Sequence, residues 1–487
     1  MNVFNYFFRD TKELSKDVVL GPCEQISYKQ LYENCVNLSK EIVNNFGENK
    51  NILILSENSV FFITAYLAII KSGNICVPLN PNIEKDNFEN ILNRTESGIV
   101  FISKKFKQKY SEYQLKIIED EQCNEWIESG KKITDDGETN SFDDTRLAEI
   151  IFTSGSMGEQ KGAMITHKNI IANTDSIIRY LKLTSFDTIE VVMPFYYCYG
   201  LSLLHTHLKV GGSVVLNNSF IFLGSVINDL NKYKCTGFAG VPSHFQILLR
   251  KSKDFKNTEF PSLKYVTQAG GKLHTTFIKE FIEAFPEIDF YVMYGQTEAT
   301  ARLSYLPPFI LRDKIGSMGK GIPGVILKVV DEKVIPVKPG ETGEIIAKGD
   351  NIMSGYYKDI ESTKQVLRDG WLHTGDMATV DEDGYIYIQS RKKEIIKVRG
   401  IRISPKEIEE VIVTYPGVVD CTIEAVTDEI LGEAIKATIF INGAEKDNFT
   451  EDLIKNHCAQ HLAQHKIPQK VIFDTKLTFN AAGKKTK

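Results

Sequence analysis

The sequence predicts an α/β fold in which a large N-terminal domain of several mixed or parallel sheets with helices precedes a small α+β C-terminal domain. Two observations predict it. From about residue 50, short β-branched runs alternate with helical patterns, and after Arg391 basic residues cluster in the segment RKKEIIKVRGIR. A chain of 487 residues is also too long for one hydrophobic core, because single cores stop growing at about 250–300 residues. We therefore expect several structural units.

The alternating pattern begins between residues 50 and 80. Residues 51–55 are predicted as a strand, residues 60–71 as a helix and residues 74–77 as a second strand, which is the order found in parallel sheets. Further apolar runs flanked by turn or helix signals predict strands at residues 149–153, 212–216, 263–267 and 289–293.

The predicted secondary structure changes twice after residue 320. Residues 323–388 are rich in strand patterns and turn signals, which favours an antiparallel layer. Residues 405–413 are predicted as a helix with proline in its first turn. We place the domain boundary near residues 390–394, so that residues 1–390 form the N-terminal domain and residues 391–487 the C-terminal one.

Composition narrows the class of protein. A formal net charge of -5 and a pI near 6.1 provide no basic field for nucleic acid or an anionic membrane. The eight cysteines are scattered without a C-x-x-C pair, which fits reduced thiols better than a disulfide framework. The N-terminal residues lack the features of a secretory signal, and the longest apolar run is shorter than the ~20 residues that span a bilayer. We expect a cytoplasmic protein without a transmembrane segment.

The strongest local signal is the segment IIFTSGSMGEQKGAMITH. A β-rich run enters a loop dense in serine, threonine and glycine at residues 153–158, and Lys161 follows it. Glycines let the backbone approach a ligand, N–H groups and hydroxyls donate to anionic oxygens, and an ammonium offsets their charge. The segment alone could also be a surface turn. It is not a Walker loop, because no G-x-x-x-x-G-K-[ST] occurs in the chain.

This segment resembles the phosphate-binding signature of the adenylate-forming superfamily, which contains acyl-CoA synthetases, adenylation domains of peptide synthetases and firefly-type luciferases. The other segments of that family follow in the same order. They are TQAGGKL at 267–273, YGQTEA at 294–299, GWLHTGD at 370–376, RKKEIIKVRGIRISPKEIEE at 391–410 and the terminal GKKTK. The resemblance covers nearly the whole chain, and it implies ATP, Mg²⁺ and a thiol acceptor as cofactors and substrates.

The resemblance implies roles for individual residues. The ATP-binding residues would be Thr153, Ser154, Gly155, Ser156, Gly158 and Lys161 at the triphosphate, Gly270, Gly271 and Lys272 beside the adenine, Tyr294 and Gly295 under it, and Asp376 at the ribose. The catalytic residues would be Thr297 as donor to the α-phosphate, Glu298 as the Mg²⁺ ligand, Arg391 near the ribose and phosphate, and Lys484 at the reacting carboxylate. Gly400 would line the tunnel for the thiol of coenzyme A or of a carrier-protein phosphopantetheine, and Lys393 would be the hinge of a mobile C-terminal domain.

The chemistry of adenylation explains these residue types, because a carboxylate that attacks the α-phosphate brings two negative groups together. Taken alone, Glu298 could be an acid at a helix N-terminus and Asp376 a turn residue. The terminal GKKTK could likewise be a basic tail.

The chain departs from the family pattern at a few positions. Met157 stands where the family has threonine, Gln160 where it has proline, and Ser390 where a glycine precedes the arginine. No charge is lost, so we expect activity with weaker ATP binding. Tyr197 replaces a histidine of many acyl-CoA synthetases, which affects how the acyl tunnel is gated.

The sequence gives less information about the carboxylic acid substrate and the thiol acceptor. Residues 194–203 contain no acidic side chain, and an unpaired ammonium in a dry pocket is costly. The tyrosine, phenylalanine and leucine residues there favour a fatty or aromatic acid. The sequence predicts activation of a small-molecule carboxylic acid and transfer to coenzyme A. Loading of an acyl carrier protein, or a non-catalytic acyl- or nucleotide-binding protein, are the alternatives.

Overall fold

The computed structural model describes residues 1–131, 142–153, 160–252, 254–391, 396–398, 401–428, 432–441 and 449–475. Its strands, in chain order, are β1 Asp17–Val19, β2 Ile26–Ser27, β3 Asn51–Leu55, β4 Ile75–Leu79, β5 Ile99–Ile102, β6 Lys116–Ile118, β7 Leu147–Thr153, β8 Lys161–Thr166, β9 Thr188–Val191, β10 Ser213–Leu216, β11 Gly237–Gly240, β12 Tyr265–Gln268, β13 Asp289–Tyr294, β14 Ser304–Leu306, β15 Lys320–Gly321, β16 Val325–Val330, β17 Thr342–Gly349, β18 Leu367–Arg368, β19 Trp371–Val380, β20 Ile386–Arg391, β21 Ile396–Val398, β22 Ile401–Ile403, β23 Val418–Asp428, β24 Gly432–Ile441 and β25 Lys470–Asp474.

The α-helices of the same residues are α1 Val3–Phe8, α2 Tyr28–Phe46, α3 Val60–Lys71, α4 Lys85–Thr95, α5 Asp120–Gly130, α6 His167–Leu181, α7 Cys198–Val210, α8 Leu223–Lys232, α9 Pro242–Lys251, α10 Thr275–Ala284, α11 Ile360–Val366, α12 Pro405–Ile412 and α13 Glu451–His461. Across these described segments, no helix has the length and apolar character needed to cross a bilayer.

Two large sheets form the N-terminal part. One has six strands in the order β6-β5-β3-β4-β7-β8, parallel except for the β7–β8 pair. The other has nine strands in the order β15-β14-β13-β12-β11-β9-β10-β1-β2, and its central strands are parallel. The predicted α/β fold with a smaller C-terminal domain is confirmed.

The largest buried cluster contains side chains from both of these sheets and from the helices between them. Helix α3 is apolar along nearly its whole length, and its side chains from Phe62 to Ile70 are buried. Ser59 begins the helix by accepting a hydrogen bond from the Phe62 N–H at 3.0 Å. A helix that is apolar all round belongs inside the protein, which explains why the longest apolar run of the chain lies in the core.

Two further sheets follow. Strands β16 to β20 pair antiparallel throughout, as the turn-rich segment predicts. Strands β21 to β25 form the C-terminal sheet, in which β25 adds parallel to β24. The position of the domain boundary stays a prediction, since residues 392–395 lie outside the described part of the chain.

Strand ends differ from the predicted ones by a few residues. The strand predicted at residues 74–77 spans Ile75–Leu79 in the structure. Pro78 lies within it and pairs with Ile54 of β3. Proline signals the end of a strand in the sequence because it lacks an N–H donor, but here the strand continues. Asn74 lies before the strand, and its side chain accepts a hydrogen bond from the Lys50 N–H at 2.8 Å.

Candidate active site

The candidate site lies where β12 and β13 end side by side. These parallel neighbours align Gln268 with Val292, so the segments that follow them emerge at one edge of the sheet. The carboxyl edge of parallel strands is the usual place for a ligand in open α/β sheets. Gly270 and Gly271 follow β12, and Gly295 follows β13.

Two of these glycines are needed by the backbone. Gly270 has a φ of +84°, a conformation that residues with a side chain rarely adopt. A Cβ on Gly295 would lie 1.9 Å from the carbonyl oxygen of Ala301. The turn after β13 is therefore too close to its own chain for any side chain at Gly295.

Glu298 follows β13 and is held by a tyrosine from a distant segment. The Tyr356 hydroxyl donates to Glu298 Oε1 at 2.7 Å, and the Met353 N–H donates to the Glu298 carbonyl at 2.9 Å. Burial and then the Glu298 charge raise the pKa of Tyr356, so the hydroxyl remains a donor. The carboxylate is only partly buried and keeps oxygen lone pairs free for a ligand.

A lysine lies over the ring of the same tyrosine. Thr153 and Lys161 are paired across the β7–β8 hairpin, and the Lys161 ammonium lies 5.2 Å from the centre of the Tyr356 ring. Its Nζ donates to Ser362 Oγ at 2.6 Å. Tyr356 thus holds a cation and a carboxylate close together without a direct ion pair between them.

Thr297 contacts helix α7, which begins within the PFYYCYG segment. Its Oγ1 lies 3.5 Å from Cys198 Sγ at the first residue of α7. Tyr197 precedes the helix, and burial raises its pKa to about 12. The residue expected at the α-phosphate therefore touches the helix expected to bind the acid.

Asp376 is buried, accepts a hydrogen bond from the buried Tyr294 and forms an ion pair with the exposed Arg391. Its Oδ2 accepts from the Tyr294 hydroxyl at 2.6 Å, and its Oδ1 lies 3.2 Å from Arg391 Nε. Asp376 and Arg391 are also paired in the β19–β20 ladder. Burial and then the charge of Asp376 raise the pKa of Tyr294 well above its ordinary value. The three residues form a fixed polar surface beside the nucleotide turn.

We expect Asp376→Asn to raise the KM for ATP by about 10–100-fold, because hydrogen bonds to a charged group contribute about 1.5–3 kcal/mol. Asparagine keeps the shape of the side chain but not its charge. The measurement is the ATP dependence of pyrophosphate release. Asp383→Asn is the matched control, since Asp383 is exposed and pairs with Lys314. An unchanged KM in Asp376→Asn would remove the residue from the nucleotide site.

Lys272 has a partner that the sequence does not suggest. Its Nζ lies 3.5 Å from Glu410 Oε2 in α12, and Glu410 Oε1 accepts from the Thr275 N–H at the start of α10 at 2.6 Å. Burial opposes the charge of Glu410, but the hydrogen bond to His274 and the Lys272 charge lower its pKa overall. Lys272 therefore connects the nucleotide turn, to which it belongs, with helix α12.

Several predicted site residues lie outside the described part of the chain. They are Ser154, Gly155, Ser156, Gly158, Lys393, Gly400 and Lys484, together with the variant position Met157. The structure brings Lys161 and Glu298 to Tyr356. It also brings Tyr294, the last residue of β13, to Asp376 in β19, which pairs with Arg391 at the end of β20.

Sequence reasoning missed Tyr356, Ser362, Cys198 and Glu410. Tyr356 and Ser362 lie after the antiparallel strand β17. They belong to no recognisable motif, so the sequence does not indicate that they are near the site. Cys198 lies within the PFYYCYG segment, so its neighbourhood was identified but its contact with Thr297 was not. Glu410 is the last residue of the RKKEIIKVRGIRISPKEIEE segment. Nothing in that segment indicates an ion pair with the distant Lys272.

Comparison with known proteins gives consistent matches. A family model described as AMP-binding enzyme matches residues 7–357, and one described as AMP-binding enzyme C-terminal domain matches residues 407–484. The chain is 28% identical to the putative acyl-CoA synthetase YngI of Bacillus subtilis (strain 168), over 96% of this chain and 92% of that protein. It is 33% identical to a feruloyl-CoA synthase of Amycolatopsis sp, over 69% of this chain and 67% of that protein.

A solved structure shares the fold. The ATP-bound crystal structure of MatB from Rhodopseudomonas palustris superposes with a TM-score of 0.88 at 24% identity, covering 99% of this chain and 97% of that one.

Proposed function

This chain belongs to the family of AMP-binding enzymes and is an AMP-forming acid–thiol ligase, and from that premise we propose that it activates a carboxylic acid with a fatty or aromatic body and passes the acyl group to coenzyme A. The observation that carries the proposal is the arrangement around Tyr356. Lys161 lies over the ring, and Glu298 accepts a hydrogen bond from its hydroxyl. Thr297, the residue before Glu298, touches the first residue of α7.

In the first step, a carboxylate oxygen of the acid attacks the α-phosphorus of ATP. The bond from that phosphorus to the bridging oxygen breaks, and pyrophosphate leaves. Lys161 would offset charge on the triphosphate, and the Thr297 hydroxyl would donate to an α-phosphate oxygen. Both act as fixed donors at the place where negative charge accumulates.

Glu298 fits a role as the protein ligand of Mg²⁺. Hard cations bind through one or two carboxylates together with substrate phosphates, and the part of the chain that the structure describes contains no cluster of three acidic, histidine or cysteine side chains. When bound, Mg²⁺ would supply charge neutralisation between phosphate oxygens. The Tyr356 hydroxyl orients the carboxylate for this role.

In the second step, the thiol of coenzyme A attacks the acyl carbon, and the bond to AMP breaks. The products are the thioester, AMP and a proton. Asp376 would keep the nucleotide in place through both steps by binding the ribose hydroxyls, with Tyr294 and Arg391 holding its carboxylate.

The acid is expected to enter beside α7, where the walls are largely apolar. Tyr199, Leu203 and Leu204 are buried on this helix, and Tyr199 donates to the Thr267 carbonyl at 3.0 Å. Apolar walls with a few placed polar groups are typical of small-molecule pockets, which supports a fatty or aromatic body for the acid.

The test is pyrophosphate release from ATP and Mg²⁺ across a panel of fatty, aryl and dicarboxylic acids. Each acid is assayed alone, with coenzyme A and with a phosphopantetheinylated acyl carrier protein. We expect release with one class of acid and a thioester with coenzyme A. A thioester formed with the carrier protein alone would replace coenzyme A as the acceptor, and folded protein without release for any acid would contradict adenylation.

A further inference from the structure

A carboxylate from the C-terminal part of the chain lies against the nucleotide turn. This turn comprises residues 269–272, between β12 and α10. Glu410 lies on α12, 135 positions after Thr275, the first residue of α10. Its side chain is 21% exposed. A contact between segments so far apart in the sequence links the turn to the packing of the C-terminal part.

The Glu410 carboxylate meets three donors at once. Its Oε1 accepts from the Thr275 N–H at 2.6 Å. Its Oε2 lies 3.3 Å from Nδ1 of the buried His274 and 3.5 Å from Lys272 Nζ. Hydrogen bonds to an ionised group are roughly twice as strong as neutral ones, and the first N–H groups of a helix lack partners inside it. The carboxylate therefore fixes the chain from Lys272 to Thr275.

The nucleotide turn is also held from within. Gln268, the last residue of β12, is fully buried, and its Nε2 donates to the Gly271 carbonyl at 2.8 Å. A Cβ on Gly271 would lie 3.2 Å from Pro242 Cγ, so the turn packs closely against the start of α9. Glu410 supplies a further anchor through Lys272, and this anchor comes from the other end of the chain.

Apolar packing accompanies the ionic contact. One buried cluster extends from α9 and α10 into α12, and its members include Phe277, Phe281, Ile408 and Ile412. Helix α9 also lies against β23. The C-terminal part therefore packs on the same two helices that flank the nucleotide turn, and Glu410 adds a charged contact to this apolar interface.

We propose that Glu410 is a positioning residue for ATP, which holds the nucleotide turn in its binding conformation and thereby couples ATP binding to the docking of α12. The inference rests on the proposed function, because that function assigns the turn to the adenine. Glu410 itself needs no contact with the nucleotide. Coupling between two sites is reciprocal, so a docked α12 tightens ATP binding, and bound ATP holds α12 in place to the same degree.

The first measurement is the Kd for ATP with Mg²⁺, in the absence of any acid, by isothermal titration calorimetry. Glu410→Gln keeps an oxygen that can accept from the Thr275 N–H but removes the charge that attracts Lys272. We expect its Kd to rise by about 5-fold or more. In the pyrophosphate-release assay the KM for ATP should rise equally, while kcat stays within about twofold of the wild type, because only uniform binding is lost.

Glu407→Gln is the matched control. Glu407 lies on the same helix, its side chain is 44% exposed, and it pairs with Lys466 at 2.6 Å within the C-terminal part. Its replacement removes an equal charge and should leave the Kd for ATP unchanged. A changed Kd in this control would mean that any charge on α12 has the effect, and it would overturn the proposal.

A double-mutant cycle tests the path from Glu410 to the turn. If Glu410 acts through Lys272, the double variant Glu410→Gln with Lys272→Met should bind ATP no more weakly than the weaker of the two single variants. Losses that multiply fully would show that the two residues act independently, and they would overturn the proposal.

Amide hydrogen exchange separates positioning from simple stabilisation. In the wild type, saturating ATP should slow exchange in α12 by about threefold or more, and Glu410→Gln should remove this slowing. A purely structural role predicts a lower Tm with an unchanged Kd and with exchange that does not depend on ATP, which would overturn the proposal. A lower Kd in Glu410→Gln would also overturn it, because Glu410 would then compete with ATP for Lys272.

Failure of the proposed function gives a different pattern of results. If no acid supports pyrophosphate release but the Kd for ATP rises in Glu410→Gln, adenylation is rejected and the role of Glu410 is supported. If release is normal and the Kd for ATP is unchanged in Glu410→Gln, the proposed function is kept and the role of Glu410 is rejected. A folded wild-type protein that binds no ATP would reject both.

Discussion

Replacing Glu298 with glutamine is expected to lower adenylate formation by about 10²–10³-fold, as the loss of one preorganised electrostatic contact does at other active sites. Glutamine keeps an oxygen that can accept from the Tyr356 hydroxyl, which donates to Glu298 at 2.7 Å. The change therefore removes the negative charge with little effect on the hydrogen bond. The loss should shrink as Mg²⁺ is raised, because the variant binds the cation more weakly.

Tyr356→Phe is the matched control for this prediction. It removes the hydroxyl and leaves the charge on Glu298, so it should cost only the orientation of the carboxylate, about 3–10-fold. The measurement is pyrophosphate release over a range of Mg²⁺ concentrations. Equal losses in both variants, with no dependence on Mg²⁺, would mean that the hydrogen bond and not the metal explains the role of Glu298.

Replacing Lys484 with alanine should separate the two half-reactions. The family resemblance places this lysine at the reacting carboxylate and the bridging phosphate oxygens, where negative charge is highest during adenylation. We expect adenylate formation to fall by about 10²–10³-fold. Thioester formation from a preformed acyl adenylate should stay within about threefold of the wild type, because no phosphate charge accumulates in that step.

Lys487→Ala provides the control, since it removes a positive charge from the same terminal segment. It should leave both half-reactions unchanged. The measurements are ATP–pyrophosphate exchange for the first step and thioester yield from a synthetic adenylate for the second. An equal loss in both steps for Lys484→Ala would contradict a role limited to adenylation.

Much of the fold could be predicted because its signals are local. The strand at residues 51–55 and the helix at residues 60–71 have the predicted bounds, since runs of apolar residues and the serine before the helix lie next to each other in the chain. The strand predicted at residues 74–77 instead spans Ile75–Leu79 and includes Pro78. In a sheet, the pairing of its neighbours decides whether the strand continues.

The site was predicted less completely. The motifs predict Asp376 for the ribose and Tyr294 for the adenine, and only the structure joins the two side chains, at 2.6 Å. The motif places Lys272 in the nucleotide turn, but nothing in the sequence pattern indicates its contact with Glu410 at 3.5 Å. A motif names the residue types that a reaction needs, but it does not say which other side chains orient them.

The sequence by itself determined the α/β class, the order of the motifs and the family resemblance, because each of these depends on residues that are neighbours in the chain. Only the tertiary structure decided that Tyr356 contacts both Lys161 and Glu298, and that Lys272 pairs with Glu410. The physical reason is the same in both cases. Hydrophobic periodicity indicates that a residue is buried, but the partners and the charge that surround it are set by where distant segments pack.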